Sequence, residues 1–312
     1  MEQNVFKMTP DATILPGMKT VMADKAQPNS VNYIRDVVYA NRDGRELKLQ
    51  LLLPNGEFPK MPDLPFPDRG GKHPLLIYVQ GSAWRKQNVY GSLMNLTDFA
   101  RAGFVVASVE YRGTDEAGWP AFLQDVKSAI RFLRANAETY RIDPAQCAVH
   151  GNSSGGHAAL MIGLTGDMEE YKTDDNREYS DAVMAVADFY GPTDVTKIND
   201  APRNPIFTAD KTQIPEDLLY GGCVVDHPEI SQVGNPLNYI SPDRDIPPIL
   251  VAHGDADEMV PFNQSVILVK KLQECRKTVE FYKVVGAGHG IGFDLKKMNQ
   301  IVIDFLKAYM TL

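Results

Sequence analysis

Ser153 stands in Gly151-Asn152-Ser153-Ser154-Gly155-Gly156, a Gly-x-Ser-x-Gly run. A short apolar stretch, Cys147-Ala148-Val149, leads into it, and a helix-like stretch from His157 to Leu164 leads out. Strand, tight turn and helix in that order make a nucleophile elbow, which lifts the serine hydroxyl above the rim of a sheet. Glycines flank the serine because so tight a turn tolerates almost no side chain there. Ser154 would need glycine at 152, where asparagine stands, so the spacing selects Ser153. A serine hydroxyl becomes a good nucleophile only when a base takes its proton. That base is usually a histidine whose tautomer is fixed by a carboxylate.

Of the six histidines, His289 lies in Gly286-Ala287-Gly288-His289-Gly290, directly after the last apolar run of the chain. A glycine-flanked histidine beyond a strand's end can project over the sheet edge toward Ser153. The carboxylate is expected one strand earlier, in His253-Gly254-Asp255-Ala256-Asp257-Glu258-Met259-Val260-Pro261, where Asp255, Asp257 and Glu258 compete. Any of these gives the chain order serine, acid, histidine. A tetrahedral oxyanion needs backbone donors. The Ser154 N–H, at a helix start, is one candidate. The others, Gly81 and Ser82, lie in Gln80-Gly81-Ser82-Ala83-Trp84, where small residues allow close backbone approach.

Alternating apolar segments must position these groups. Residues 34–39 and 47–53 read as an antiparallel hairpin around Asn41-Arg42-Asp43-Gly44. Buried strands follow at 75–79, 104–109, 147–149, 183–190, 249–252 and 279–285. Helices are expected near 88–102, 120–138, 157–164, 262–275 and 294–310. Strands alternating with helices imply parallel βαβ units. The expected fold is α/β, a mostly parallel sheet of about eight strands with helices on both faces. Residues 1–30 are polar and read as an N-terminal arm, and residues 55–74 are too rich in proline and glycine for regular structure. Residues 31–312 form one domain with an insertion or partial cap at about 192–247, containing one modest helical segment near Ile214–Tyr220. A connection that long inside an α/β domain is usually functional.

The chain has 312 residues, 44% hydrophobic, enough for a large core. Its net charge of −8 and the lack of a basic run argue against nucleic acid or an anionic membrane as partner. Three scattered cysteines, Cys147, Cys223 and Cys275, suggest neither a disulfide framework nor a metal site. The N-terminus lacks a basic start with an apolar run behind it. The expectation is a cytoplasmic protein, although a secreted form trimmed of its signal would read the same way.

Taken together, the chain resembles the α/β-hydrolase superfamily over roughly residues 34–310. Within it, the chain is similar to the esterase/lipase group with an HGGxW-type oxyanion loop, and most like bacterial acetyl- and feruloyl-esterase-like proteins. The resemblance is carried by Gln80–Trp84, Glu110-Tyr111-Arg112, Pro120 with Asp125, Gly151–His157, Asp188–Asp194, His253–Pro261 and Gly288-His289-Gly290. The family pattern His-Gly-x-x-Asp-x-x-Val-Pro implies Asp257 as the acid. It implies structural roles for Arg112 and Asp125. Two positions depart from it. Gln80 replaces the usual histidine, and Ser82 replaces a glycine, so the backbone at Ser82 is expected to keep negative φ.

The resulting expectation is a serine carboxylesterase acting on a small acetyl-type ester, with a carbohydrate ester as the resemblance-based substrate. Ser153, His289 and Asp257 would be catalytic, with no metal or cofactor. Trp84 and Phe262 are candidates for the substrate pocket, with packing as the alternative for each. An arylformamidase or other amide hydrolase would use the same constellation. A binding protein on the same fold usually lacks a triad member.

Overall fold

The structure is a computed structural model and describes residues 12–22, 31–54, 71–200, 203–204 and 210–311. Most of the arm and most of the proline-rich 55–74 segment lie outside the described residues, as do 201–202 and 205–209 within the insertion.

Eight strands form one sheet: β1 (Val31–Arg42), β2 (Arg45–Pro54), β3 (His73–Val79), β4 (Val105–Val109), β5 (Ile142–Asn152), β6 (Ala185–Phe189), β7 (Ile249–Gly254) and β8 (Val279–Val284). Their spatial order is β1-β2-β4-β3-β5-β6-β7-β8. β1 pairs antiparallel with β2, and β2 with β4; from β4 to β8 every pairing is parallel. The hairpin turns on Asp43 and Gly44, both at positive φ (51° and 92°), which is what a two-residue turn matching strand twist demands.

Side chains alternate across the sheet and feed two cores. Leu75, Ile77 and Val79 of β3 enter one core, with Val126 and Ile130 of α2 (Ala121–Ala135) and Leu160 of α4 (Ser154–Leu164). Leu76 and Tyr78 enter the other, with Phe99 of α1 (Leu93–Arg101) and Val302 of α7 (Leu295–Tyr309). The remaining helices are α3 (Ala137–Tyr140), α5 (Pro215–Tyr220) and α6 (Asn263–Glu274). All residues of α4 are buried, as its apolar composition on every side requires. Among the described residues no helix is long and apolar enough to cross a membrane.

Several expected boundaries moved: the strands expected at 34–39, 47–53, 75–79 and 147–149 all extend further, and β3 takes in His73 and Pro74 from the segment expected to be irregular. The helix expected over 88–102 begins only at Leu93, because the loop from the end of β3 continues to Ser92. The strand expected over 183–190 is shorter, and Tyr190 leaves it at φ 44°. Of the expected insertion, the described part holds α5 and several short 3-10 segments, the longest Pro228–Gly234.

β3 is the switch point of the topology: β4 is added on one side of it and β5 on the other. Ligands of open α/β sheets bind beyond the carboxyl ends of strands at such a point. The loops carrying Gln80–Trp84 and Ser153 leave β3 and β5 there.

A buried ionic cluster ties α2 to the segment before β6. Lys127, Arg131 and Asp181 are fully buried. The Asp181 carboxylate accepts from Lys127 Nζ at 2.6 Å and Arg131 Nη1 at 2.9 Å. Burial pushes the Lys127 ammonium down from its ordinary range, and Asp181 opposes that shift. Removing one member of such a set strands the remaining charges. Asp181→Ala is therefore expected to lower unfolding free energy by roughly 3–5 kcal/mol, readable as a drop in the urea midpoint.

Candidate active site

Ser153 ends the β5 turn at φ 55° and ψ −129°, a conformation rare for any residue with a side chain. Its backbone is held from both sides. Its N–H donates to Phe189 O at 2.8 Å, and its carbonyl accepts from His157 N at 3.1 Å. A Cβ on Gly151 would run into the Gly155 carbonyl, and one on Gly155 into the Val79 carbonyl. Glycine is needed at both positions by space alone.

His289 Nε2 lies 2.8 Å from Ser153 Oγ, and His289 Nδ1 lies 2.7 Å from Asp257 Oδ2. A carboxylate only accepts, so Nδ1 carries the proton and Nε2 presents its lone pair to the serine hydroxyl. The Asp257 side chain is buried. Its Oδ1 accepts from Met259 N at 2.8 Å and Val260 N at 2.9 Å. Burial alone would raise its pKa. Hydrogen bonds from His253, His289 and Val260 N–H outweigh that and hold the carboxyl well below the usual carboxylate range.

The two competing carboxylates do other work. Asp255 accepts from Gly286 N at 2.6 Å and pairs with Lys283, bracing the turn before His289. Glu258 accepts from Asn204 Nδ2 at 2.8 Å. The remaining described histidines do not reach Ser153 Oγ. His150 and His157 are buried, and burial pushes both down to about 4. His253 has Nε2 3.3 Å from Asp257 Oδ2 and 2.9 Å from Val260 O, so the catalytic-acid candidate touches two imidazoles.

The oxyanion candidates differ from expectation. The Gly81 N–H is spent on Asn152 Oδ1 at 3.0 Å, and the Ser82 N–H on Ser154 Oγ at 2.9 Å. Ser82 keeps negative φ as anticipated, but Ala83 and Trp84 take φ 53° and 55°. With Arg85 N donating to Ser82 O at 3.0 Å, they form a type I′ turn. The Ser154 N–H stands at the first position of α4, where no intrahelical acceptor exists.

Neither pocket candidate emerges as a substrate wall. Trp84 is 2% exposed and its indole N–H donates to His157 Nδ1 at 3.2 Å, so it is a buried strut. Phe262 stacks on Phe281 and meets His253 edge-on. It packs the acid loop against β8.

Two residues near the nucleophile carried no assigned role in the sequence reading. Asn152 Oδ1 accepts from both Gly81 N and Tyr78 Oη, and its Nδ2 donates to Tyr190 Oη at 3.2 Å. The Tyr190 ring lies 4.8 Å, edge-on, from that of His289. Asn152 thus links the oxyanion loop to the tyrosine beside the histidine. Its place as the variable residue before the elbow serine was the available signal. Arg112 and Asp125 form a two-pronged pair at 2.8 and 3.0 Å, remote from the serine in role. Among the described residues no three His, Cys, Asp or Glu side chains cluster to hold a metal.

Known proteins share this arrangement of strands and loops. The BD-FAE family model matches residues 63–272, which carry the oxyanion loop, the elbow and the acid loop. Esterase LipC of Mycobacterium tuberculosis is 32% identical over 228 residues, 71% of this chain and 53% of that protein. The chain spans about half the length of the curated relatives LipC, LipQ and LipM. Among solved structures, a truncated carbohydrate esterase from gut microbiota is 30% identical with a TM-score of 0.76, covering 89% of this chain and 96% of that one. A bifunctional GH43-CE protein of Bacteroides eggerthii is 28% identical with a TM-score of 0.73, covering 89% of this chain and 38% of that one. The chain belongs to the BD-FAE family, within the α/β-hydrolase esterases.

Proposed function

We propose that this chain is a serine carboxylesterase that cleaves small acyl esters of acetyl type. The observation that carries the reading is the continuous hydrogen-bonded run from Asp257 through His289 to Ser153 Oγ. Ser153 Oγ attacks the ester carbonyl while His289 Nε2 takes its proton. The imidazolium then returns that proton to the leaving alcohol. Water repeats the sequence on the acyl-enzyme, freeing the acid and restoring Ser153. Asp257 keeps the His289 tautomer and stabilises the imidazolium.

The oxyanion is assigned to the Ser154 N–H and the Ala83 N–H. The Gly81 and Ser82 amides already have acceptors, whereas Ala83 N has none among the described residues. Electrostatic stabilisation of this kind is often the largest single contribution to catalysis. The carbohydrate esterase and GH43-CE likenesses support a sugar as the alcohol side of the ester.

A substrate panel tests the reading. Turnover is expected to be fastest on acetyl esters, including acetylated oligosaccharides. It should be slower on feruloyl and butyryl esters and slowest on an N-formyl aryl amide. A fluorophosphonate probe should label the protein once per chain. Faster cleavage of the formamide than of every ester would replace the esterase reading with an amidase one.

A further inference from the structure

His157 sits four residues after Ser153, is fully buried, and touches nothing that reacts. Its two nitrogens are nevertheless both engaged. Nδ1 accepts the Trp84 indole N–H at 3.2 Å, and Nε2 lies 2.7 Å from Gly234 O. An indole N–H only donates and a carbonyl only accepts, so the ring is neutral with its proton on Nε2. Trp84 belongs to the type I′ turn that presents the Ala83 amide. Gly234 belongs to the segment expected as an insertion. An apolar residue of similar size would fill the same space among Phe122, Trp119 and Trp84. The imidazole adds to that packing a polar link between three segments far apart in sequence.

The insertion also holds the other loops of the site. Arg203 Nε donates to Met259 O at 2.9 Å, two residues beyond Asp257. Arg85 Nη2, just after the strained turn, donates to Gln213 Oε1 at 2.9 Å. The described part of segment 192–247 therefore grips both the acid loop and the oxyanion loop through Arg203 and Gln213.

We propose that His157 is a positioning residue through which the insertion sets the oxyanion loop: Gly234 fixes the imidazole, and the imidazole fixes Trp84 and with it the Ala83 amide. The catalytic consequence rests on the serine-esterase reading; the mechanical link does not. Misplacing a donor by about 1 Å can cost about 100-fold in rate. His157→Leu keeps the volume and removes both hydrogen bonds, and is expected to lower kcat on p-nitrophenyl acetate about 100-fold with KM little changed. His157→Gln can still accept from Trp84 and donate to Gly234, and is expected to restore most of kcat. Gly234→Ala approaches from the other side, because its Cβ would meet the Tyr220 hydroxyl and push the carbonyl away. It is expected to reproduce the kcat loss, and if His157→Leu does not fold, this variant and His157→Gln carry the test.

The link is read independently of turnover from Trp84 fluorescence in a Trp119→Phe background, since the chain has two tryptophans. His157→Leu and Gly234→Ala should change Trp84 emission, whereas His157→Gln should not. A wild-type protein that fails to cleave p-nitrophenyl acetate while the emission changes appear would overturn the esterase reading and leave the brace standing. Normal kcat in Gly234→Ala, or a His157→Gln variant as slow as His157→Leu, would overturn the brace.

Discussion

Ser153→Ala is expected to lower kcat on p-nitrophenyl acetate by roughly 10⁴–10⁶-fold, the scale seen when a triad serine is lost. The change removes one oxygen and little else. The Ser153 backbone bonds, to Phe189 O and from His157 N, do not involve the side chain. Alanine meets the same backbone cost as serine at φ 55°. The variant should therefore unfold at nearly the wild-type temperature while losing both turnover and fluorophosphonate labelling. Residual turnover within tenfold of wild type in a purified, folded sample would remove Ser153 from the mechanism.

Asp257→Asn is the second large effect, and its cause is a mismatch of donors. Asp257 Oδ1 faces the N–H groups of Met259 and Val260, and Oδ2 faces His289 Nδ1 with His253 Nε2 nearby. An asparagine amide must turn its NH₂ toward one of these donor sets. Turned toward Met259 and Val260, it opposes donor to donor. Turned toward His289, it forces the proton onto Nε2, where the serine needs a lone pair. A loss of about 10⁴-fold in kcat is expected by analogy with other serine triads.

A second measurement checks the same site. Hydrogen bonds from His253, His289 and the Val260 N–H hold the folded-state pKa of Asp257 below the ordinary aspartate range, against the effect of burial. The charged carboxylate therefore stabilises the fold at pH values above the unfolded pKa, and that contribution is lost as pH falls through the folded value. The stability difference between wild type and Asp257→Asn should thus be largest near neutral pH and shrink on acidification. A difference that grew toward low pH would contradict the assigned ionisation.

The loops of the site share a backbone signature. Ala83, Trp84, Ser153 and Tyr190 all hold positive φ without being glycine. Such conformations persist only where the surroundings over-determine them. Here the surroundings are identifiable: His157 for Trp84, Phe189 O for Ser153, and Asn152 for Tyr190. The neighbourhood of the nucleophile is held by a backbone bond at Ser153 and side-chain bonds at Trp84 and Tyr190, where a regular helix or strand would rely on its own ladder.

Much of the protein was already legible as a string of letters. Short apolar runs marked all eight strands and near-helical spacing marked long helices such as α2; the inner parallel strands read as unbroken apolar runs because both of their faces are buried. Gly151-Asn152-Ser153-Ser154-Gly155 identified the elbow, because only glycine fits beside so tight a corner. The tertiary structure alone decided which donors stay open. The Gly81 and Ser82 amides are taken by side chains 71 and 72 residues away, and His157 meets a carbonyl 77 residues away. Trp84 likewise proved a buried strut, because its partner lies 73 residues away. Hydrogen bonds across such separations follow from how loops meet at the end of a sheet, and no periodicity or motif spacing records them.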